Sequence, residues 1–136
     1  MATSTIEYQG DLRTSCTHLQ SGDKITTDAP TDNHGKGEAF SPTDLLATSL
    51  VSCMLTTMGI KANKEGIPFP GGASAEMQKI MANDPRRVSG IVVSIRAPKG
   101  NLSEQQVKML EATAINCPVA RSLSPEINQE VKFEWV

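Results

Sequence analysis

Apolar and polar positions alternate along the first forty residues. Ile6 and Tyr8 are separated by polar neighbours, Leu12 and Leu19 flank the Thr/Ser-rich run Arg13–Thr17, and Ser21-Gly22-Asp23 has the composition of a hairpin turn leading into Lys24-Ile25-Thr26-Thr27. This period of two predicts three strands, the last ended by Ala29-Pro30. Residues 31–39 (TDNHGKGEA) are polar, contain glycine and have no period, which predicts a loop. The pattern changes at Ser41. Ser41 is an N-cap, Pro42 suits the first helical turn, and Asp44 stands at capping-box distance. Apolar residues then recur from Leu45 to Ile60, Lys61 and Lys64 complement the C-terminal dipole, and Gly66 is the stop. A helix of this span, at ~1.5 Å per residue, is roughly 36 Å long. With little polar relief between Leu45 and Ile60, it is expected to be buried on most sides. One chain of 136 residues covers such a helix poorly, so a partner subunit is expected to supply a wall.

Pro68-Phe69-Pro70-Gly71-Gly72 reads as a rigid linker. Two strands follow, Ser74 to Met81 and Val88 to Ala97, punctuated by Asn83-Asp84-Pro85. Ser103 caps a second helix with Gln106 at capping-box distance and Val107, Leu110 and Ala114 as its apolar stripe. Cys117-Pro118 starts a short third helix through Leu123, and Val131, Phe133 and Trp135 close the chain as a strand. The order βββ-α-ββ-α-α-β predicts a single α+β domain over residues 1–136.

Composition narrows the functional classes. Net charge is −2, with acids and bases interspersed and Arg86-Arg87 the sole adjacent basic pair, so binding of nucleic acid through a basic face is not expected. The N-terminus has neither a basic n-region nor an apolar h-region, and no run approaches 18 uninterrupted apolar residues, so neither export nor membrane insertion is expected. The three cysteines are therefore expected in a reducing cytoplasm, where a disulfide is transient and catalytic. His18 and His34 have no partner at ligand spacing, so no metal is expected.

The candidate chemistry lies in the thiols. Cys53 falls midway along the long helix among Leu50, Val51, Met54 and Leu55, where burial alone raises a thiol pKa. Its ionisation requires a positive charge from elsewhere, and Arg13, the only basic residue before Lys24, is the natural candidate. Cys117 precedes Pro118 at a helix start, where free backbone N–H groups are expected to lower its pKa. Two such thiols facing each other would form a redox pair, whereas thiols that only fill core would be inert. Cys16, in a strand, reads as packing.

Ser41-Pro42-Thr43-Asp44-Leu45-Leu46, then Ser52-Cys53 in a long apolar helix, then Asn116-Cys117-Pro118-Val119 before the last strand, together resemble the OsmC/Ohr family of osmotically inducible and organic-hydroperoxide-resistance proteins. Tyr8-Gln9-Gly10 and Thr27–Pro30 fit its N-terminal hairpin, so the resemblance spans nearly the whole chain. It implies an intertwined homodimer with two long central helices packed against antiparallel sheets. It also implies cofactor-free, thiol-dependent reduction of organic hydroperoxides, and more weakly of hydrogen peroxide, with a small thiol or dithiol as reductant. Cys53 matches the peroxidatic cysteine, Cys117 the resolving one and Arg13 the active-site arginine. Where the family's peroxide-reducing members have Glu directly after the helix-start proline, this chain has Thr43. Asp44, next along, is either its substitute or a capping carboxylate. Leu50, Met54 and Phe40 are the expected pocket lining for an alkyl peroxide. The alternative is a non-catalytic relative that binds an apolar ligand or partner in the same groove.

Overall fold

The computed structural model describes residues 1–136. Its elements follow the predicted order: β1 (Ser4–Gly10), β2 (Arg13–His18), β3 (Lys24–Asp28), α1 (Pro42–Glu65), β4 (Ser74–Ala82), β5 (Arg87–Ala97), α2 (Glu104–Ile115), α3 (Pro118–Ser122) and β6 (Asn128–Trp135). A short 3₁₀ turn at Thr31–Asn33 lies inside the segment read as loop. The chain divides into two compact units, residues 1–46 and 47–136.

In the first unit β1, β2 and β3 form an antiparallel sheet in that order. Ile6, Cys16 and Ile25 stand opposite one another across it, so they share a face, and the period of two puts Tyr8 there as well. Ile6, Tyr8 and Ile25 are exposed. The other face carries Glu7, Arg13, Ser15, Lys24 and Asp28. Cys16 is half-buried, with its sulfur 3.7 Å from the Thr14 hydroxyl.

The second unit holds the hydrophobic core. α1 starts as its caps require: Asp44 N–H donates to Ser41 Oγ at 3.1 Å, and Ser41 N–H donates to the Asp44 carboxylate at 3.0 Å. It ends where Gly66 adopts φ +65°, a conformation costly for any side chain. Gly66 N–H then bonds the Asn63 carbonyl and Ile67 N–H the Ala62 carbonyl, closing the last turn. Ala47, Leu50, Val51, Met54, Met58 and Ala62 are its buried residues, a stripe at three- and four-residue spacing. They join Ile91, Val93, Ile95, Leu110 and Ala114 in the core. Burial on most sides is not what one chain achieves: Leu46, Ser49, Ser52, Thr56 and Ile60 face outward on α1. The helix has the length and hydropathy to cross a membrane, but its stripe is the core of the second unit.

β5 is the central strand of the second sheet, antiparallel to β4 and parallel to β6. The parallel pairing departs from the all-antiparallel expectation. α2 and α3 lie between β5 and β6 in the chain and provide the crossover that a parallel neighbour needs. α2 carries the foreseen capping box, with Ser103 and Gln106 bonding each other's backbone N–H at 2.9 and 3.1 Å. Leu110→Ala is expected to cost about 2–5 kcal/mol through the cavity it leaves. Lys108→Ala, on the exposed side of the same helix, should stay within about 0.5 kcal/mol. Urea unfolding of the two variants measures the contrast.

Candidate active site

Cys117 is the N-cap of α3, its backbone extended at φ −64°, ψ 158°, with Pro118 opening the helix. The sulfur acts as the cap, accepting Ala120 N–H at 3.4 Å. It also lies 4.0 Å from the Leu50 carbonyl of α1, which takes the S–H. The Cys53 side chain, one turn further along α1, is close enough to act on the ionisation of the Cys117 thiol. The two thiols singled out from the sequence are therefore brought together, and both are free.

Their environments differ. Cys53 is half-buried, whereas Cys117 is 1% exposed. Burial pushes the Cys117 thiol above its ordinary pKa, and the neighbouring Cys53 pushes it the same way. The Ala120 and Val119 backbone N–H groups pull it down without overcoming burial. This overturns the expectation that the helix start would lower it. The donors are present as foreseen, but two N–H groups of a five-residue helix do not replace the water that burial removes.

Leu50 and Met54, expected as pocket lining, are fully buried core residues, and Leu50 meets the thiol pair through its backbone carbonyl. Phe40, the third, is 54% exposed, and its carbonyl accepts Asp28 N–H at 3.1 Å in the first unit.

Arg13 opens β2 after a turn in which Gly10, Asp11 and Leu12 all have positive φ. A leucine at φ +65° is strained. The turn is fixed by Leu12 N–H on the Tyr8 hydroxyl at 3.3 Å and by Ala29 N–H on the Leu12 carbonyl at 3.1 Å. The Arg13 guanidinium lies 3.9 Å from Asp28 and 3.6 Å from Glu38. Asp28 is 1% exposed and also accepts Glu38 N–H at 3.0 Å. Asp44 has one carboxylate oxygen on Ser41 N–H, and the Thr43 hydroxyl lies 3.2 Å from that of Ser41. Asp28 and Glu38 are the acids that sequence reasoning missed. Counting back from Ser21-Gly22-Asp23 pairs Thr17 with Lys24, and hence Arg13 with Asp28, so the hairpin register held the signal.

The thiol pair belongs to residues 47–136 and the arginine cluster to residues 1–46. Cys117 makes the alkaline limb of stability diagnostic. With its pKa raised in the fold, the protonated thiol favours folding; that contribution is complete below pH 9.0 and is lost as pH rises through the higher folded value. Tm should fall more steeply as pH rises above 9.0 in the wild type than in Cys117→Ser, as calorimetry across that range will measure.

The sequence profile of the family described as OsmC-like protein matches residues 35–132. A crystal structure from Psychrobacter arcticus, provisionally described as an osmotic stress induced and detoxification response protein, is 55% identical. It superposes with a TM-score of 0.92 over 98% of this chain and 96% of that one. The organic hydroperoxide resistance protein OsmC of Legionella pneumophila is 18% identical with a TM-score of 0.72, covering 98% of each chain. OhrB of Bacillus subtilis, also an organic hydroperoxide resistance protein, is 14% identical with a TM-score of 0.70, again over 98% of each. These two speak for the fold alone. No protein of curated function matches the chain.

Proposed function

The chain belongs to the OsmC-like protein family, and from that premise we propose that it is a thiol peroxidase that reduces organic hydroperoxides in defence against oxidative stress. The observation that carries this reading is the Cys53 thiol brought beside Cys117 while keeping more contact with solvent than its partner. Cys53, as thiolate, attacks the distal oxygen of the hydroperoxide. The O–O bond breaks, and the alkoxide leaves and takes a proton to become the alcohol. Cys53 is then a sulfenic acid. Cys117, which keeps its proton because burial disfavours the thiolate, forms the S–S bond as that proton joins the departing hydroxide and water leaves. A small thiol or dithiol restores both cysteines.

Arg13 is assigned the cationic role by family resemblance: it favours the Cys53 thiolate and the charge on the leaving oxygen. Asp28 and Glu38 take the part of the family's glutamate in holding it, and Asp44 caps α1. A homodimer is also proposed. The outward line Leu46, Ser49, Ser52, Thr56 and Ile60 on α1 is small or apolar enough for close helix contact, and Ile6, Tyr8 and Ile25 need cover of their own. The cytoplasm, which keeps the cysteines reduced, is the proposed compartment.

Stopped-flow kinetics with an alkyl hydroperoxide and thiol titration test the chemistry. Consumption should be faster than with hydrogen peroxide and vanish in Cys53→Ser, and Cys117→Ser should complete one turnover and stall at sulfenic or higher oxidation. Activity retained in Cys53→Ser would refute the reading. Arg13→Ala should lower the rate about 10²-fold. Light scattering should give twice the chain mass, and Ile60→Asp should shift it towards monomer.

A further inference from the structure

Resting on the peroxidase reading, we propose that the external thiol which reopens the Cys53–Cys117 disulfide attacks Cys53 and never Cys117, so that the mixed disulfide forms on α1 and Cys117 is always the leaving group. Thiol–disulfide exchange needs the incoming sulfur in line with the S–S bond, on the far side of the sulfur it attacks. Reaching Cys117 requires approach from the side away from Cys53. That side is closed. Cys117 is 1% exposed, belongs to the core with Leu50 and Ala114, and has its sulfur between Ala120 N–H and the Leu50 carbonyl. Any partner subunit can only close it further. Cys53 stands at the edge of the same core, half-buried, between outward Ser52 and inward Met54.

The step balances. The external thiolate bonds Cys53 Sγ, the S–S bond breaks, and its electron pair leaves on Cys117 Sγ. That sulfur is born facing Ala120 N–H, which stabilises the nascent thiolate. It then takes a proton and returns to the neutral thiol whose S–H points to the Leu50 carbonyl. A second external thiol attacks the adduct at its external sulfur, releasing Cys53 as thiolate and the reductant as its disulfide. A thiol that burial makes less acidic is a slower leaving group, which opposes attack at Cys53. That opposition sets the rate. Access decides the position, because the competing trajectory passes through packed core.

The test uses the full chain with Cys16→Ser, leaving only the pair. Treatment with one equivalent of tert-butyl hydroperoxide should link the Cys53 and Cys117 peptides. If it does not, the peroxidase reading fails, and the position of attack is still read on the disulfide made with diamide. Brief exposure to 2-mercaptoethanol, acid quench, alkylation with N-ethylmaleimide and peptide mass mapping should find the mercaptoethanol on Cys53 and the maleimide on Cys117, by at least about tenfold. The reverse labelling, or an even split, overturns the proposal. Exchange too fast to trap is covered by the single-cysteine chains. Cys53 in Cys117→Ser should react with a nitrobenzoate disulfide at least about tenfold faster than Cys117 in Cys53→Ser, and equal rates would also overturn it.

Discussion

Leu50, Met54 and Met58 recur along α1 at four-residue steps, and all three side chains are fully buried. That stripe is the constraint on which the second unit depends. Rotating or sliding the helix would pull these side chains from a core packed around Ile91, Val93 and Ile95 of β5 and Leu110 of α2. Because Cys53 precedes Met54, the same packing fixes where its thiol stands, at the margin of the buried face. Because the Leu50 carbonyl lies against Cys117, it also fixes how α3 approaches. The cysteine pair thus needs no loop to hold it. Its geometry follows from the core.

The two thiols lie side by side and differ in burial. Cys117 has two backbone N–H donors at the start of α3, and yet burial raises its pKa above the ordinary thiol value. A buried, protonated thiol beside a more open one suits the resolving role proposed for it: it would not compete for peroxide and would bring the proton that the departing hydroxide requires. An N-cap sulfur is a weaker acceptor than the oxygen of Ser103, which caps α2. Its presence at a helix start is better understood from that chemistry than from helix stability.

Arg13 depends on a different device. The strained Gly10-Asp11-Leu12 turn is tied to β1 through the Tyr8 hydroxyl and to Ala29 through the Leu12 carbonyl, and it delivers the arginine opposite Asp28 in the hairpin register. The acids that pair with Arg13 stand at the end of β3 and in the following loop. Asp44 makes the cap that its spacing from Ser41 dictates.

Nearly every element was legible in the chain, since strand period, helix caps and stops are written in residues no more than about four positions apart. Ser41 with Asp44, Ser103 with Gln106, Gly66 and Cys117-Pro118 each act within one turn, so reading them locally suffices. Legible too were the two cysteines as candidates. The Arg13–Asp28 pairing was legible in the hairpin register, whereas the direction of the Cys117 pKa, the approach of Glu38 to Arg13, the one-sided burial of α1 and the parallel β5–β6 pairing were decided by the tertiary structure alone. The Cys117 sulfur is desolvated by a core to which Leu50, 67 residues away, contributes, and Glu38 reaches Arg13 from a loop beyond the hairpin. Desolvation and charge pairing act through space between residues remote in sequence, so only the folded chain assigns them.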